Sequence, residues 1–236
     1  MLKEKFFVLD VEGNSNCLPY NIGYIIADNV GKIYQERNVA LPYAVWQNLM
    51  SCLKSGICEE MHLKNSKEIM EDFENEKRKY NCLSIEGFWK LFTHDIKHYK
   101  IKKLYAYNIT FDNAALSRLF GQRYHDLKLE NRDIMAGCVR TKLLNPKYLL
   151  YCDQNGYLTE KGNYKYGAEI VYRYLMGEAY RDFVEEHTGL ADVHIEYEIL
   201  LWVLKSRKKV NWKCGCGWKM FQKYVEDTGY ERRYPF

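Results

Sequence analysis

The sequence predicts an α/β fold in which a mixed five-stranded sheet, an antiparallel meander followed by parallel strands, is flanked by helices. Three short strand-like segments follow one another before residue 40, which is typical of a meander. Helical segments then alternate with two further strand-like segments, and this order favours a mixed sheet over an all-parallel one. The chain has 236 residues, 47% of them hydrophobic, so it can bury a sizeable core.

The first three strands are predicted from short apolar or alternating segments. Residues 5–10 contain a compact apolar run, which favours a largely buried strand. Residues 21–27 (NIGYIIA) form the second predicted strand, and residues 32–39 (KIYQERNV) show the period-2 alternation of a third. Residues 28–31 supply the hairpin loop between these two strands.

A helical insert is predicted at residues 44–99, because this stretch is charged and free of proline. Within it, Ser84 is the expected N-cap of a helix whose apolar residues recur at helical spacing in SIEGFWKLFTHDIKHY. Residues 102–108 form the predicted fourth strand, residues 111–120 a helix, and residues 131–137 (NRDIMAG) the candidate fifth strand.

The remainder of the chain is predicted to contain a hairpin and two helices. The hairpin covers residues 148–163, with the Asn-Gly pair at 155–156 as its turn. Residues 168–177 form a helix that Gly177 ends. The last helix begins near Gly189, and its apolar residues predict an amphipathic stripe. The stripe consists of Leu190, Val193, Tyr197, Leu200 and Leu204.

Charge and composition limit the partners and the compartment. Basic residues number 35 and acidic residues 31, and the net charge of +4 permits an anionic partner without requiring one. The apolar runs at residues 6–9 and 199–204 are too short for a signal peptide and a membrane span respectively. We therefore expect a cytoplasmic protein whose cysteines are reduced. Cys214 and Cys216 lack the spacing and the second ligand pair of a zinc site.

Two acids lie at the end of the first predicted strand. Asp10 and Glu12 are two positions apart, so a strand points both carboxylates to one face, beside a turn at Gly13 and Asn14. Two like charges this close are unfavourable without a cation. Mg²⁺ and Mn²⁺ prefer such oxygen ligands, so the pair predicts a metal site. The alternative is a solvated acid pair that merely marks the end of a strand.

Two further stretches carry residues that could act with this pair. Asp112 opens a helix directly after a strand, and alone it is most simply an acid favoured by the helix dipole. His187 precedes the last helix and Asp192 lies on its first turns, where each could equally be an ordinary surface or first-turn residue. Glu196 shares a helix face with Asp192 and competes for the same acidic role.

The order of these motifs resembles that of the DEDDh family of 3′–5′ exonucleases, which includes proofreading subunits of bacterial polymerases, ribonuclease T and oligoribonuclease. The resemblance rests on D-x-E in the first strand, Asp112 in NITFD, and His187 and Asp192 spaced as H-x-x-x-x-D. It covers residues 5–205 and implies a ribonuclease-H-like fold.

The resemblance also implies a role for each matched residue. The metal ligands would be Asp10, Glu12, Asp112 and Asp192, which would hold two divalent cations, Mg²⁺ or Mn²⁺. His187 would be the general base, on a mobile segment that closes on the substrate.

Three residues are candidates for substrate binding. Many family members have Thr after the Glu of the first motif, whereas this chain has Gly13 followed by Asn14. Asn108 matches an Asn of the family and would either contact the substrate or brace its loop.

The implied activity is hydrolysis of single-stranded DNA or RNA from a free 3′ end, with release of nucleoside 5′-monophosphates. One alternative is a nucleic-acid-binding or polymerase-associated module without turnover, and another is the trimming of very short RNA. A proofreading role would require a polymerase bound in trans.

The exonuclease domain is predicted at residues 1–206, followed by a basic aromatic tail at residues 207–236. The segment KSRKKVNWK places Lys and Arg around Trp212, which suits the phosphates and bases of a single strand. A solvated helix end would have the same composition.

Overall fold

The computed structural model describes residues 4–13, 19–55, 60–75, 79–206, 210, 212 and 217–228. The strands are β1 (Lys5–Glu12), β2 (Asn21–Asp28), β3 (Ile33–Ala40), β4 (Asn81–Cys82), β5 (Lys103–Ala106) and β6 (Glu130–Asp133). They form one sheet in the order β4-β3-β2-β1-β5-β6.

Helices flank this sheet. The α-helices are α1 (Pro42–Ser55), α2 (Glu60–Glu74), α3 (Ile85–Tyr99), α4 (Ile109–Phe120), α5 (Gln122–His125), α6 (Ile134–Cys138), α7 (Pro146–Asn155), α8 (Ala168–Met176), α9 (Gly189–Leu204) and α10 (Gly217–Thr228). A π-helical turn at Val139–Leu143 and a 3₁₀ turn at Glu178–Tyr180 complete the helical elements of the described residues.

The predicted architecture is confirmed. β1, β2 and β3 pair antiparallel as a meander, while β5 pairs parallel with β1 and β6 pairs parallel with β5. This arrangement is consistent with a ribonuclease-H-like fold. The predicted number of five strands is too low, because β4 adds a two-residue edge strand parallel to β3. Two residues are too few to show an alternating pattern.

The hairpin predicted at residues 148–163 is wrong, because helix α7 occupies the first half of that stretch. Asn145 caps this helix by accepting from the Tyr148 N–H at 3.1 Å, and Pro146 occupies its first turn. Gly156 then ends the helix with a left-handed φ of 67°. An Asn-Gly pair is typical of tight hairpins, but its glycine serves equally well as a helix C-cap.

Alternate residues of β1 enter two different cores. Phe7 and Leu9 pack on one side of the sheet with α3 and α4, whereas Phe6 and Val8 pack on the other side with α9. Helix α9 lies across β1 and β2 and is buried on most of its surface, from Asp192 to Val203. The predicted stripe is therefore too narrow, because this helix is covered by the sheet on one side and by α6 and α8 on others.

Part of the predicted tail folds against the domain. Phe221 of α10 is buried, and its ring centroid lies 5.8 Å from that of Tyr148. The main-chain oxygen of Trp212 accepts from the Asp133 N–H at 3.0 Å, and its ring packs edge-on against Tyr105. Trp212 thus serves as a packing residue at the end of β6. Lys205 is the C-cap of α9, whereas the other basic residues of the segment and the pair Cys214 and Cys216 lie outside the described residues.

The length and composition of the helices decide whether any of them could span a membrane. Within the described part of the chain, none of them combines the length and the apolar character needed to cross a bilayer.

Candidate metal centre

The predicted acids of the first strand lie on the face of β1 that α9 covers. Asp10 and Glu12 continue the alternation of Phe6 and Val8, so both carboxylates point towards the core on that side. Glu12 is buried and Asp10 is partly buried. The site lies where β1 and β5 end, which is where α/β folds commonly form ligand crevices.

A close contact between two glycines brings the start of α9 onto the sheet. A Cβ atom on Gly23 of β2 would lie 1.9 Å from the carbonyl carbon of Gly189. Only glycine permits this approach of the two backbones. Asp192 and Glu196 follow on the first turns of α9, four residues apart and on one face, and both are buried.

Three of the four predicted metal ligands form one compact group. Carboxylate oxygens of Asp10, Glu12 and Asp192 all lie within 4.8 Å of one another. Residues that are distant in the sequence therefore converge as the resemblance implies, and the group could hold a metal ion.

Asp112, the fourth predicted ligand, lies beside this group but not within it. It is buried in the first turn of α4, and its Oδ1 accepts a hydrogen bond from the Val11 N–H at 3.1 Å. The charge of Asp112 contributes to raising the pKa of Asp10, so the two carboxyls are neighbours. The hydrogen bond fixes Asp112 to the strand that carries Asp10 and Glu12.

Glu196 adds a fifth carboxyl to the site. It is buried, and its Oε2 accepts from the Tyr107 N–H at 3.1 Å. After burial itself, the charge of Glu196 contributes most to raising the pKa of Asp10. The sequence marked Glu196 only as a competitor of Asp192, whereas the structure brings both acids to the site.

Glu185 is an acidic neighbour that the sequence did not indicate. Its side chain is 14% exposed, and burial raises the pKa of this carboxyl to about 7. Its charge in turn contributes to the raised pKa values of Glu12 and Asp192. Glu185 lies in an irregular segment before α9, where no periodicity marks a functional face.

Burial and crowding make these carboxyls weak acids in the absence of a cation. Burial is the largest cause, and it raises the pKa of Glu12 to about 7, that of Asp112 to about 8 and that of Asp192 to about 9. The pKa values of Asp10 and Glu196 are also raised well above their ordinary values, by burial and then by neighbouring carboxylates.

The donor set fits a hard divalent cation. Asp10 Oδ2 and Asp192 Oδ1 are buried, and neither has a hydrogen-bond partner among the described residues. Buried polar atoms normally have a hydrogen-bond partner. Two unpartnered oxygens from two neighbouring carboxylates therefore indicate that a further ligand, such as a cation, binds here. Mg²⁺ and Mn²⁺ take oxygen ligands of this kind.

His187 lies at the rim of the carboxylate group. Its main-chain N–H donates to the carboxylate of Asp192, while 40% of its side chain is exposed. Its Nδ1 lies 3.7 Å from Glu185 Oε2. With Glu169, these two residues form a second, half-buried group of possible ligand atoms. The Glu169 carboxylate is already paired with Arg173.

The candidate substrate residues have mixed outcomes. Gly13 follows β1 and is half-buried, whereas Asn14 lies outside the described residues. Asn108 is exposed at the start of α4, and its side chain makes no capping hydrogen bond. A cavity of about 720 Å³ opens beside Tyr107 and Asn108 and includes Tyr166 among its lining residues.

Comparison with known proteins identifies no family. No protein-family model matches the chain, and no curated protein matches it.

Proposed function

We propose that this protein is a metal-dependent 3′–5′ exonuclease of the DEDDh type, acting on single-stranded DNA or RNA. The observation that carries this proposal is the cluster of Asp10, Glu12 and Asp192. Two buried carboxylate oxygens of this cluster have no hydrogen-bond partner among the described residues. Asp112 and Glu196 surround the group with further negative charge. A cluster of this kind supports binding of two divalent cations.

The residues divide the chemistry of hydrolysis among them. When bound, divalent cations would supply stabilisation of charge on the attacked phosphate and activation of the water. Asp10, Glu12 and Asp192 would hold the cations, with Asp112 fixed beside them. The partly exposed imidazole of His187 would accept the proton of the attacking water as the bond from phosphorus to the 3′ oxygen breaks, and the leaving 3′ oxygen would take a proton from solvent. The products are a shortened strand and a nucleoside 5′-monophosphate.

The surroundings of the site support a single strand as the substrate. The side chain of Asn108 makes no capping hydrogen bond, and this residue lines a cavity large enough for an unpaired nucleotide. Tyr107, whose N–H donates to Glu196, lines the same cavity. Tyr166 offers an aromatic ring in that cavity, on which a base of any identity can stack. The proposed partner is therefore a nucleic acid strand with a free 3′ end.

A strand-shortening assay tests the proposal. A 5′-labelled single strand is incubated with Mg²⁺ or Mn²⁺, and with EDTA as the metal-free control. We expect a ladder of shortened products that EDTA and Asp10→Asn abolish. The matched control is Asp126→Asn, which changes an exposed carboxylate at the end of α5 and should retain activity. Lack of metal-dependent shortening, or equal activity in Asp10→Asn, would overturn the proposal and favour a binding module without turnover.

A further inference from the structure

Asn65 of α2, within the predicted helical insert, bonds to the backbone of the proposed general base. It is only 4% exposed, and its Nδ2 donates to the main-chain oxygen of His187. Its side chain also hydrogen-bonds the hydroxyl of Tyr20, just before β2. A buried amide satisfies its polar atoms in this way. Here one partner is a residue at the rim of the carboxylate group.

The backbone of His187 adopts a conformation that needs support. Its φ of 53° lies in the left-handed region, which residues other than glycine adopt uncommonly. Such conformations persist where surrounding contacts determine them. For His187, the N–H donates to Asp192 and the carbonyl accepts from Asn65, so both polar groups of its main chain are held.

The next two residues are held as well. The main-chain oxygen of Thr188 accepts from the Asp192 N–H at 3.0 Å. The Gly189 N–H donates to Asn21 Oδ1 at 2.9 Å. The sheet and α9 therefore hold this segment from one side, and α2 holds it from the other.

The imidazole itself has freedom that the backbone lacks. Its Nδ1 lies 3.7 Å from the nearest Glu185 oxygen, which is beyond hydrogen-bond distance. A cavity of about 850 Å³, lined by His187, Asn65 and residues of the same two segments, lies beside it. The geometry favours rotation of the side chain onto a substrate over the movement of the whole segment that the family resemblance implies.

We infer that Asn65 is a positioning residue for the general base. Its hydrogen bond holds the main chain of His187 in the left-handed conformation that places this residue next to Asp192. The inference rests on the proposed exonuclease function, and it gives part of the helical insert a role in catalysis.

The experiment compares Asn65→Asp and Asn65→Ala with a control directly after the C-terminal end of α2. Asn65→Asp keeps the size of the side chain and removes the donor to His187. The control, Asn75→Ala, removes an amide whose Nδ2 donates to the main-chain oxygen of Glu71, in the last turn of α2, at 2.8 Å. The measurements are kcat and KM on a labelled single strand, Mn²⁺ affinity, and amide hydrogen exchange of residues 185–189.

Both Asn65 variants should lower kcat by roughly ten-fold or more, because small displacements of a catalytic group are costly to the rate. Mn²⁺ affinity and KM should change little, and exchange in the segment should accelerate. In a His187→Ala background, Asn65→Ala should bring no further loss of kcat. Asn75→Ala should match the wild type in each measurement.

Three results would overturn the inference. The first is an unchanged kcat in both Asn65 variants, and the second is an equal loss from Asn65→Ala with and without His187. The third is a wild-type protein that hydrolyses nothing, which would overturn the proposed function and with it any catalytic role of Asn65. In that case the exchange measurement still reports whether the hydrogen bond holds the segment.

Discussion

The carboxyl groups of Glu12, at the end of β1, and Asp192, on the first turn of α9, hydrogen-bond each other. This contact requires a proton on one of them, so the pair is not fully ionised in the metal-free protein. Two acids from distant parts of the chain thus share a proton where a metal ion would otherwise neutralise them.

The metal-free protein should become less stable as the pH rises. The pKa of Glu12 is raised from 4.5 to about 7 and that of Asp192 from 3.8 to about 9, chiefly by burial. The folded protein keeps protons that the unfolded chain releases near its ordinary carboxyl pKa of about 4. The contribution of these two carboxyls to stability is therefore fully present below about pH 4 and is lost as the pH rises through about 7 and then about 9.

Urea unfolding in EDTA at a series of pH values measures this dependence. Saturating Mn²⁺ should remove most of the loss at high pH, because bound cations favour the ionised carboxylates. A free energy of unfolding that rises over the same pH range in EDTA would contradict the burial and close packing of these carboxyls.

Asp192 and Glu196 should differ in their effect on metal binding. Asp192 belongs to the compact group and has an oxygen without a described partner, whereas Glu196 Oε2 already accepts from the Tyr107 N–H. Asp192→Asn should weaken Mn²⁺ binding on the order of 10–100-fold, and Glu196→Gln considerably less. Calorimetric titration of both variants tests this, and an equal or larger effect of Glu196→Gln would reassign the ligand.

Gly23→Ala should disrupt both the fold and the metal site. The added Cβ would meet the Gly189 backbone at 1.9 Å, so α9 must shift away from β2. We expect a loss of about 1–3 kcal/mol or more in the free energy of unfolding, with weaker Mn²⁺ binding because Asp192 moves with α9. The control is Gly167→Ala, where φ is −61° and no atom lies within 4 Å of the added Cβ. A fully stable Gly23→Ala would show that this approach is not required.

Tyr166→Ala should affect long substrates more than short ones. Loss of one base–aromatic stack removes about 1–3 kcal/mol of binding, so KM for a single strand of a dozen nucleotides should rise about ten-fold or more. A dinucleotide, which need not reach the cavity, should be cleaved at the original rate. Tyr166→Phe keeps the ring and should behave as the wild type. Equal effects on both substrate lengths would exclude the cavity as part of the strand path.

Sequence reasoning succeeded where long-range structure follows from local patterns. The meander of β1 to β3 and the start of a helix at Gly189 lie where the sequence predicts them. Asp10 and Glu12 could be predicted to share a face because a strand alternates strictly. That these two acids lie close to Asp192 could be expected only from the order of the motifs along the chain. The spacing within each motif carries no information about contacts between motifs.

Other features depend on contacts that no local pattern records. The glycine of the pair at 155–156 ends a helix instead of turning a hairpin, and the choice depends on the cap that Asn145 provides upstream. Asn65 resembles any other polar residue of a charged helix until tertiary packing brings it against His187. Glu185 lies in an irregular segment, so its approach to the site depends on the path of that segment alone.

The central claim is that Asp10, Glu12 and Asp192 form a divalent-cation centre, and the most direct test is calorimetric titration of the metal-free protein with Mn²⁺. We predict saturable binding that Asp10→Asn weakens on the order of 10–100-fold, while Asp126→Asn leaves it unchanged. Wild-type binding that is absent, or that Asp10→Asn leaves unaltered, would contradict the account.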